Sequence, residues 1–203
     1  MPRTVDAVER RTRVAAAARA VIARDGPDAA SVRRVAAEAG SSTTVVTHYF
    51  ADKEALFAAA VEDAYRAVAA RMAAHLDGGP GGLTTLRAVL LEALPLDAER
   101  AAEARVWMAF WSMAASRSTL REVQSAGYAA WRELVARLLA DAVGQGEVAA
   151  DPDPGDVGEQ LMCLVDGLLM QATLEPDRLP PARQVQLLDG ALARLAPSRD
   201  PRG

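Results

Sequence analysis

Cysteine is nearly absent from this chain of 203 residues, in which Cys163 is the only one. A single cysteine cannot close an internal disulfide or supply a cysteine-rich zinc site, so the fold depends on neither oxidation nor a structural metal. Histidine is also scarce, and neither His48 nor His75 has a nearby partner in the sequence that suggests a metal or catalytic site. The glycine-rich segment 78–82 lacks the Lys-Ser/Thr of a phosphate loop. We therefore expect no enzyme, cofactor or metal, and we predict that Cys163 is a buried small hydrophobe.

Long apolar runs and strand patterns are missing as well. No stretch approaches the roughly 18 unbroken apolar residues that cross a bilayer, and the first 25 residues carry six arginines without an apolar signal core. We therefore expect a cytoplasmic protein with no membrane partner. Hydrophobic residues make up 51% of the chain and recur at helical rather than alternating spacing. This spacing predicts an all-α fold of about nine helices.

The charge of the chain is unevenly distributed around a net value of −4. Residues 1–53 hold nine basic and six acidic side chains, a balance of +3, which leaves 14 basic and 21 acidic side chains, or −7, for residues 54–203. A basic segment attached to an acidic one is a candidate contact for a polyanion. The N-terminal quarter of the chain is therefore the place to look for a nucleic-acid site.

Start and stop signals divide the basic segment into three helices. The first is predicted at about 5–24 and stops at Gly26-Pro27. Ser31 caps a short second helix, Ser42 caps a third that contains residues 43–50, and Asp52 caps a fourth. The rest of the chain is predicted to contain five more helices, at about 83–94, 97–115, 118–143, 155–174 and 181–195.

Two short helices joined by a glycine-containing turn, after a long helix, form the helix-turn-helix arrangement. On DNA, the second helix of such a pair fits the major groove, which is about 12 Å wide, and the first crosses the phosphate backbone. With Val46 and Phe50 facing inward, threonines and His48 face outward, where threonine hydroxyls and methyls suit base edges. The guanidinium of Arg33 can make a bidentate hydrogen bond to a guanine edge, while His48 and Tyr49 can reach phosphates. From the residues alone, a solvated helix face or a protein-binding or scaffold module without DNA binding remains the alternative.

A longer motif covers residues 31–56. The pattern A-G-V-S-x-G-x-x-x-x-Y/H-F-x-x-K-x-x-L is matched by Ala39, Gly40, Ser42, Tyr49, Phe50, Lys53 and Leu56. On these residues the segment resembles the DNA-binding module of the tetracycline-repressor (TetR) family. Two positions depart from the family pattern, since Ser41 stands where valine is usual and Thr44 replaces a common glycine.

The resemblance implies specific DNA contacts. Base-reading positions would be Arg33, Thr43, Thr44, Val45, Thr47 and His48, and phosphate positions would be Ser31, Tyr49 and Lys53. The assignment of Lys53 to a phosphate also has a physical reason. Lys53 begins the fourth helix, where free backbone N–H groups already favour an anion. The resemblance further implies a helix-turn-helix DNA-binding domain at 1–53 and a ligand-binding and dimerisation domain at 54–203. Such a protein would be a homodimeric repressor that binds a palindromic operator in double-stranded DNA and is released by a small-molecule effector.

The second part of the chain carries a weaker motif. Segments 94–100, 105–111 and 165–169 resemble the C-terminal domain of the choline-sensing betaine-pathway repressor branch. Members of the TetR family pair their last two helices into a four-helix bundle. The leucine-rich segments 161–169 and 187–195 are compatible with that pairing, because they offer more apolar surface than a terminal helix pair needs alone.

A sensor of small molecules needs a cavity in this second part. The candidate effector contacts are Trp107, Phe110, Trp111, Tyr128, Trp131, Met162, Asp166 and Met170. Ordinary core packing is the alternative for the aromatic and methionine side chains. Asp166 lies in an apolar stretch and needs an arginine, a backbone cap or a cationic ligand as its partner. An acid beside tryptophans suits an ammonium ligand, whereas an apolar ligand needs no acid. Glu103 is a second candidate acid, although we expect it on a solvated helix face.

Overall fold

The computed structural model describes residues 3–149, 151 and 153–197, with side chains from residue 7 onward. This part of the chain is all-α, with nine α-helices, one short 3₁₀ helix at Pro27–Ala29 and no strand. The α-helices are α1 (Arg3–Asp25), α2 (Val32–Glu38), α3 (Thr43–Tyr49), α4 (Lys53–Leu76), α5 (Gly82–Glu92), α6 (Ala98–Ala114), α7 (Ser118–Gly144), α8 (Pro154–Leu174) and α9 (Pro181–Ala193). None of these helices is long and apolar enough to span a bilayer. The predicted fold class is confirmed, while the predicted residues 198–203 of the second domain lie outside the described residues.

The chain divides into two compact units. Unit 1 comprises Met1–Ala67 and Ala102–Gln124, and unit 2 comprises Val68–Ala101 and Ser125–Gly203. Unit 1 therefore contains α1, α2 and α3, the first part of α4, most of α6 and the start of α7. Unit 2 contains the end of α4, helix α5, the start of α6, most of α7, and α8 and α9. The predicted division into domains 1–53 and 54–203 stays a prediction.

Side-chain caps fix the short helices of unit 1. The hydroxyl oxygens of Ser31 and Ser42 each accept a hydrogen bond from the backbone N–H three residues later, at 3.3 Å. Asp52 Oδ1 accepts the corresponding N–H of α4 at 2.7 Å. Each cap satisfies a donor that the helix leaves free, and losing one destabilises a helix by about 1 kcal/mol. All three predicted caps are confirmed.

The turn between α2 and α3 depends on Gly40 and Ser41. Gly40 has φ 61°, a left-handed conformation that side chains rarely adopt. Ser41, at the position where the TetR pattern has valine, is half-buried and donates its hydroxyl to the carbonyl of Ala39 at 3.5 Å. A local hydrogen bond thus satisfies the polar group at this site. Val46 and Phe50 beyond the turn are buried, as predicted.

A leucine-rich core holds unit 2 together, with α9 packed against α5 and α8. Its buried members include Leu86, Val89, Leu90, Val135, Leu139, Leu161, Val165, Leu168, Leu188 and Leu192. The five helices predicted after the glycine-rich segment 78–82 all form, and their ends differ from the prediction by no more than two residues. Their apolar spacing, together with the glycines and prolines that flank them, was therefore sufficient to locate them.

The glycine-rich segment ends at the N-terminus of α5, where two carboxylates bind the free N–H groups of the helix. Asp141 accepts a hydrogen bond from Gly82 N–H at 2.8 Å, and Glu147 accepts one from Leu83 N–H at 2.7 Å. Negative charge at a helix N-terminus is stabilising. Gly82 has φ 57°, and a Cβ there would collide with the Glu147 carboxylate, so glycine is required for this close approach.

Candidate nucleic-acid interface and effector contacts

The outward face of α3 carries the predicted base-reading residues. Thr43, Thr44, Thr47 and His48 are all exposed, whereas Val46 on the opposite side is completely buried. Thr47 Oγ1 donates to the carbonyls of Thr43 and Thr44, at 3.1 and 3.2 Å. Because its hydroxyl proton is used within the helix, Thr47 offers an external partner a methyl group and an acceptor oxygen.

The remaining predicted DNA contacts flank this face within unit 1. Ser31 and Arg33 are exposed at the start of α2, and Val45 and Tyr49 are half-buried on α3. The rings of His48 and Tyr49 meet edge to face, with centroids 5.1 Å apart. The helix-turn-helix thus brings the residues of α2 and α3 that were predicted to read bases onto solvent-accessible positions of a single compact unit.

The arginines near α2 differ in their availability to an anion. Arg24 lies 3.1 Å from Asp25 and 3.0 Å from Glu38, and Arg34 lies 3.2 Å from Asp25. Hydrogen bonds to Glu38 and Asp25 raise the pKa of Arg24 above its ordinary value. Arg33, in contrast, makes no ion pair with any residue that the structure describes. Arg33 is therefore the cation of α2 that remains open to a base edge or a phosphate.

Lys53 stands at the first turn of α4, where helix geometry favours an anion. Its side chain is about half exposed, and its Nζ lies 4.0 Å from Oδ1 of Asp28 on the 3₁₀ helix. Both residues line an open groove of about 840 Å³ in unit 1. The other residues of the groove are Pro27, Asp52, Glu54, Met108, Ala109, Ser112, Met113 and Arg117.

A buried polar cluster joins α6 to the helices of the DNA-binding module. Glu103 is 2% exposed and Asp63 is 8% exposed. Arg19 of α1 lies 2.9 Å from Asp63 and 3.5 Å from Glu103, and Arg105 Nε donates to the carbonyl of Ala23 at 2.7 Å. The prediction that Glu103 lies on a solvated helix face is wrong, because Glu103 is buried and the half-buried Arg19 supplies a charged partner from a distant part of the sequence.

Three of the predicted effector contacts lie on α6 in unit 1. Trp107 and Phe110 are buried, and the ring of Trp107 meets that of Tyr65 edge to face at 4.3 Å. Trp111 is half-buried, and its Nε1 is buried without a hydrogen-bond partner among the described residues. A buried donor without an acceptor is unfavourable by about 1–3 kcal/mol. Trp111 is therefore the member of this set with unused hydrogen-bonding capacity.

The other five predicted effector contacts lie in unit 2, where the structure brings two of them together. Tyr128 of α7 donates its hydroxyl to Asp166 Oδ2 of α8 at 2.7 Å. Burial raises the pKa of Asp166 above its ordinary value of 3.8, and the hydrogen bond from Tyr128 offsets only part of that shift. An arginine, a backbone cap or a cationic ligand was expected beside this carboxylate. The partner in the structure is an uncharged hydroxyl, which spacing within α8 alone does not reveal.

The remaining positions of unit 2 have different surroundings. Met162 is buried, Trp131 packs against the leucine-rich core, and Met170 is 45% exposed. Cys163 is exposed, so the prediction that it is buried is wrong. Leu161 and its helical neighbours occupy the covered side of α8, and two residues of helical rotation place Cys163 on the other side. The described residues contain no cluster of three His, Cys, Asp or Glu side chains that could hold a metal.

Two family patterns match this chain. Residues 14–60 match the pattern described as bacterial regulatory proteins of the tetR family. Residues 83–197, more than half of the chain, match the C-terminal domain of BetI-type transcriptional repressors. The first match covers the helix-turn-helix, and the second covers the helices that carry the predicted effector contacts.

Individual relatives agree with these matches. The HTH-type transcriptional regulator PksA of Bacillus subtilis (strain 168) is 32% identical over 88% of this chain and 86% of its own, and BetI of Vibrio campbellii is 28% identical over 82% of each. The crystal structure of a transcriptional regulator from Rhodococcus sp. Rha1 is 31% identical, with a TM-score of 0.80 over 91% of this chain and 95% of its own. A regulator from Saccharomonospora viridis, solved in complex with choline, shares the fold at 22% identity, with a TM-score of 0.86 over 95% and 100%.

The matches for the helix-turn-helix and for the helices after it thus point to the same class of protein. Both matched regions belong to regulators of transcription, and the named relatives are regulators rather than enzymes. The chain belongs to the TetR family, with a BetI-type C-terminal domain, and it is a ligand-responsive, DNA-binding transcriptional regulator.

Proposed function

We propose that this regulator is a repressor that binds a palindromic operator as a homodimer and leaves it when a small molecule binds. The exposed face of α3, with Arg33 beside it, is the observation that carries the proposal. A twofold dimer presents two such faces to the major groove, so its site should contain two inverted half-sites one or a few helical turns apart. Its place of action is then the cytoplasm, where bacterial DNA lies.

Side-chain chemistry divides the proposed interface into two sets. Arg33, Thr43, Thr44, Val45, Thr47 and His48 contact base edges, and Ser31, Tyr49 and Lys53 contact phosphates. Forked or hydroxyl donors, and methyl groups that meet thymine methyls, discriminate between bases. Phosphate contacts position the protein and carry no sequence information. The two sets therefore make different contributions to affinity and specificity, which mutation can separate.

The phosphate set is tested by the double substitution of Tyr49→Ala and Lys53→Ala. We expect weaker binding to every duplex and a shallower dependence of affinity on salt, by about one unit of log–log slope for each lost phosphate contact. Arg33→Ala should in addition relax base preference at one position by about 1–3 kcal/mol. Fluorescence anisotropy on the DNA that flanks the regulator's own gene, over a series of salt concentrations, measures both effects.

The control for this test is Arg137→Ala, which removes an exposed arginine of unit 2. It changes the net charge by the same amount as Lys53→Ala but alters no proposed contact, so affinity and salt slope should stay as in the wild type. An unchanged salt slope in the Tyr49/Lys53 variant would refute the assignment of these residues to phosphates.

The proposed effector is a small cation of the quaternary ammonium type. Support comes from Asp166, a carboxylate whose charge is disfavoured by burial and whose partner Tyr128 is uncharged. A cation beside it would stabilise the ionised form. The aromatic side chains of α6, which lie in unit 1, stay predicted effector contacts. Choline is the first compound to test, because the Saccharomonospora viridis regulator was solved in complex with it.

The route from effector to DNA follows from chain connectivity. Helix α4 begins at the proposed phosphate contact Lys53 and continues into unit 2. Helix α6 is joined to α1 through Arg105 and through Arg19, so displacing α6 displaces the helix that supports the recognition pair. An effector must bind the DNA-releasing arrangement more tightly than the other, because equal affinity for both shifts nothing.

A further inference from the structure

The acidic side chains around the recognition helix differ in what they contact. Asp25 pairs with Arg24 and Arg34, Glu38 pairs with Arg24, Asp52 caps α4, and Glu54 contacts Arg117 and Thr119. These four carboxylates are thus occupied by groups that are not proposed to touch DNA. Asp28 is different, because its one ion pair within the described residues is with Lys53.

The backbone around Asp28 holds it in place. Gly26 has φ 83° and Pro27 has a fixed φ, and together they start the 3₁₀ helix after α1. The carbonyl of Pro27 accepts a hydrogen bond from the N–H of Ala30 at 3.3 Å, and the carbonyl of Ala29 accepts one from the N–H of Ser31 at 2.8 Å. The side chain of Asp28 itself is fully exposed. Its carboxylate therefore rotates freely, but only within a region next to the first turn of α4.

A phosphate that approaches Lys53 meets this carboxylate. Before binding, the Asp28 carboxylate partly neutralises the ammonium group 4.0 Å away. After the phosphate has replaced it, Asp28 still lies near the phosphate and repels it, because the backbone does not let it move far. Both effects weaken the contact. They are modest, since the pair is exposed to water and is screened by salt.

We propose that Asp28 competes with a DNA phosphate for Lys53 and thereby lowers the affinity of the regulator for every DNA sequence. This inference rests on the proposed phosphate role of Lys53. Because the competition concerns a backbone contact, it changes affinity without changing base preference. Asp28 is thus a determinant of affinity located outside the recognition helix.

The test is a double-mutant cycle with wild type, Asp28→Asn, Lys53→Ala and the double variant. The DNA is a fluorescein-labelled mixed-sequence duplex of about 30 base pairs, measured by anisotropy at about 50 and 200 mM NaCl. We expect Asp28→Asn to raise affinity about two- to fivefold at the lower salt concentration and less at the higher one. In the Lys53→Ala background, the same substitution should change affinity by a clearly smaller factor.

Two controls accompany the cycle. Asp177→Asn removes one negative charge from an exposed position of unit 2 and should leave affinity unchanged. Asp28→Ser removes the carboxylate with a different side chain and should reproduce the effect of Asp28→Asn. Thermal unfolding followed by circular dichroism should be the same for all variants of this exposed position.

The outcomes separate this inference from the function on which it rests. If Asp28→Asn raises DNA affinity by the same factor with and without Lys53, the effect comes from overall charge and the inference is overturned. No gain in Asp28→Asn, while Lys53→Ala weakens binding, would overturn the inference and leave the proposed interface intact. If Lys53→Ala binds like the wild type, both the phosphate role of Lys53 and the competition are rejected. A wild-type protein that binds no duplex at low salt would reject the proposed interface as well.

Discussion

At the scale of single residues, Asp166 is a carboxylate in a position that disfavours its charge. Burial raises the pKa of Asp166 above 3.8 in the folded protein. At a pH between 3.8 and the pKa of the folded state, the folded protein therefore binds more protons than the unfolded chain. Stability therefore falls as the pH rises through this window, and the ionised carboxylate destabilises the protein at neutral pH. A residue that is unfavourable for folding is a good candidate for a ligand contact.

Asp166→Asn tests that role. The amide removes the charge but keeps an oxygen that accepts the Tyr128 hydroxyl, so we expect an unchanged or higher melting temperature at pH 7. The thermal shift caused by choline or another quaternary amine should disappear, because the favourable charge is lost. Affinity for DNA without effector should stay near the wild-type value. Differential scanning fluorimetry and anisotropy measure these three quantities.

Tyr128→Phe provides the contrast for this experiment. It removes the hydrogen-bond donor of the half-buried carboxylate, so it should destabilise the protein by about 1 kcal/mol. A large loss of stability in Asp166→Asn itself would make the carboxylate structural. A full response to quaternary amines in that variant would remove Asp166 from the effector site.

The errors of sequence reasoning at this scale have one physical cause. Helical spacing indicates which residues share a face, but it does not indicate which faces other helices cover. Cys163 was expected to be buried because its sequence neighbours are apolar, yet it faces away from the covered side of α8. Glu103 was expected in solvent, yet Arg19 reaches it. Tyr128 was named only as a candidate effector contact, and its bond to Asp166 depends on how α7 packs on α8.

At the scale of helices, prediction succeeded because the signals are local. Ser31, Ser42 and Asp52 bond to backbone groups three residues away, so the sequence itself contains both partners of each cap. The connection of α6 to α1 was not predictable in this way, because its partners are distant in the chain. Asp63 and Glu103 did carry a signal, since each is a charged residue at an inward-facing helical position, where a buried ion pair is required.

Glu92 at the end of α5 links three helices of unit 2. Its carboxylate lies 2.8 Å from Arg71 and 3.0 Å from His75 of α4, and 3.5 Å from Arg100 of α6. Burial alone raises the pKa of Glu92, but hydrogen bonds from His75 and Arg71 and the charge of Arg100 together outweigh burial and lower it below its ordinary value of 4.5. A lowered pKa in the folded state means that the ionised carboxylate stabilises the fold.

Glu92→Gln should therefore destabilise the protein by about 1.5–3 kcal/mol at pH 7, the range for hydrogen bonds to charged groups. The stability that Glu92 contributes is fully present above pH 4.5 and is lost as the pH falls below that value towards the lower folded pKa. The difference between variant and wild type should shrink over the same range. Urea unfolding at several pH values measures it.

The control for Glu92 is Glu175→Gln, which removes the carboxylate of the exposed Arg178 ion pair. An exposed pair contributes little, so the unfolding free energy should hardly change. A Glu92→Gln variant as stable as the wild type at pH 7 would show that the contacts of the Glu92 carboxylate add nothing to the packing of these helices.

At the scale of the whole molecule, α8 presents an apolar stripe to solvent. Met170 is 45% exposed and Leu174 is 64% exposed, and with the exposed Cys163 they recur at the spacing of one helix face. Large apolar side chains that follow one another on a surface indicate a contact with another molecule. In the proposed regulator that molecule is a second copy of the chain, because a palindromic operator needs two recognition helices related by a twofold axis.

Met170→Glu combined with Leu174→Glu should therefore convert a dimer into a monomer, since two carboxylates on each copy would face their equivalents across the interface. Affinity for the operator should fall by about a hundredfold or more, because the second half-site no longer binds as part of the same particle. Sedimentation velocity gives the mass, and anisotropy gives the affinity.

Leu76→Glu is the matched control, because it places a charge on another exposed leucine, on α4, and should change neither quantity. A double variant that still sediments as a dimer would place the interface elsewhere, and a monomeric variant with full operator affinity would mean that one recognition helix suffices.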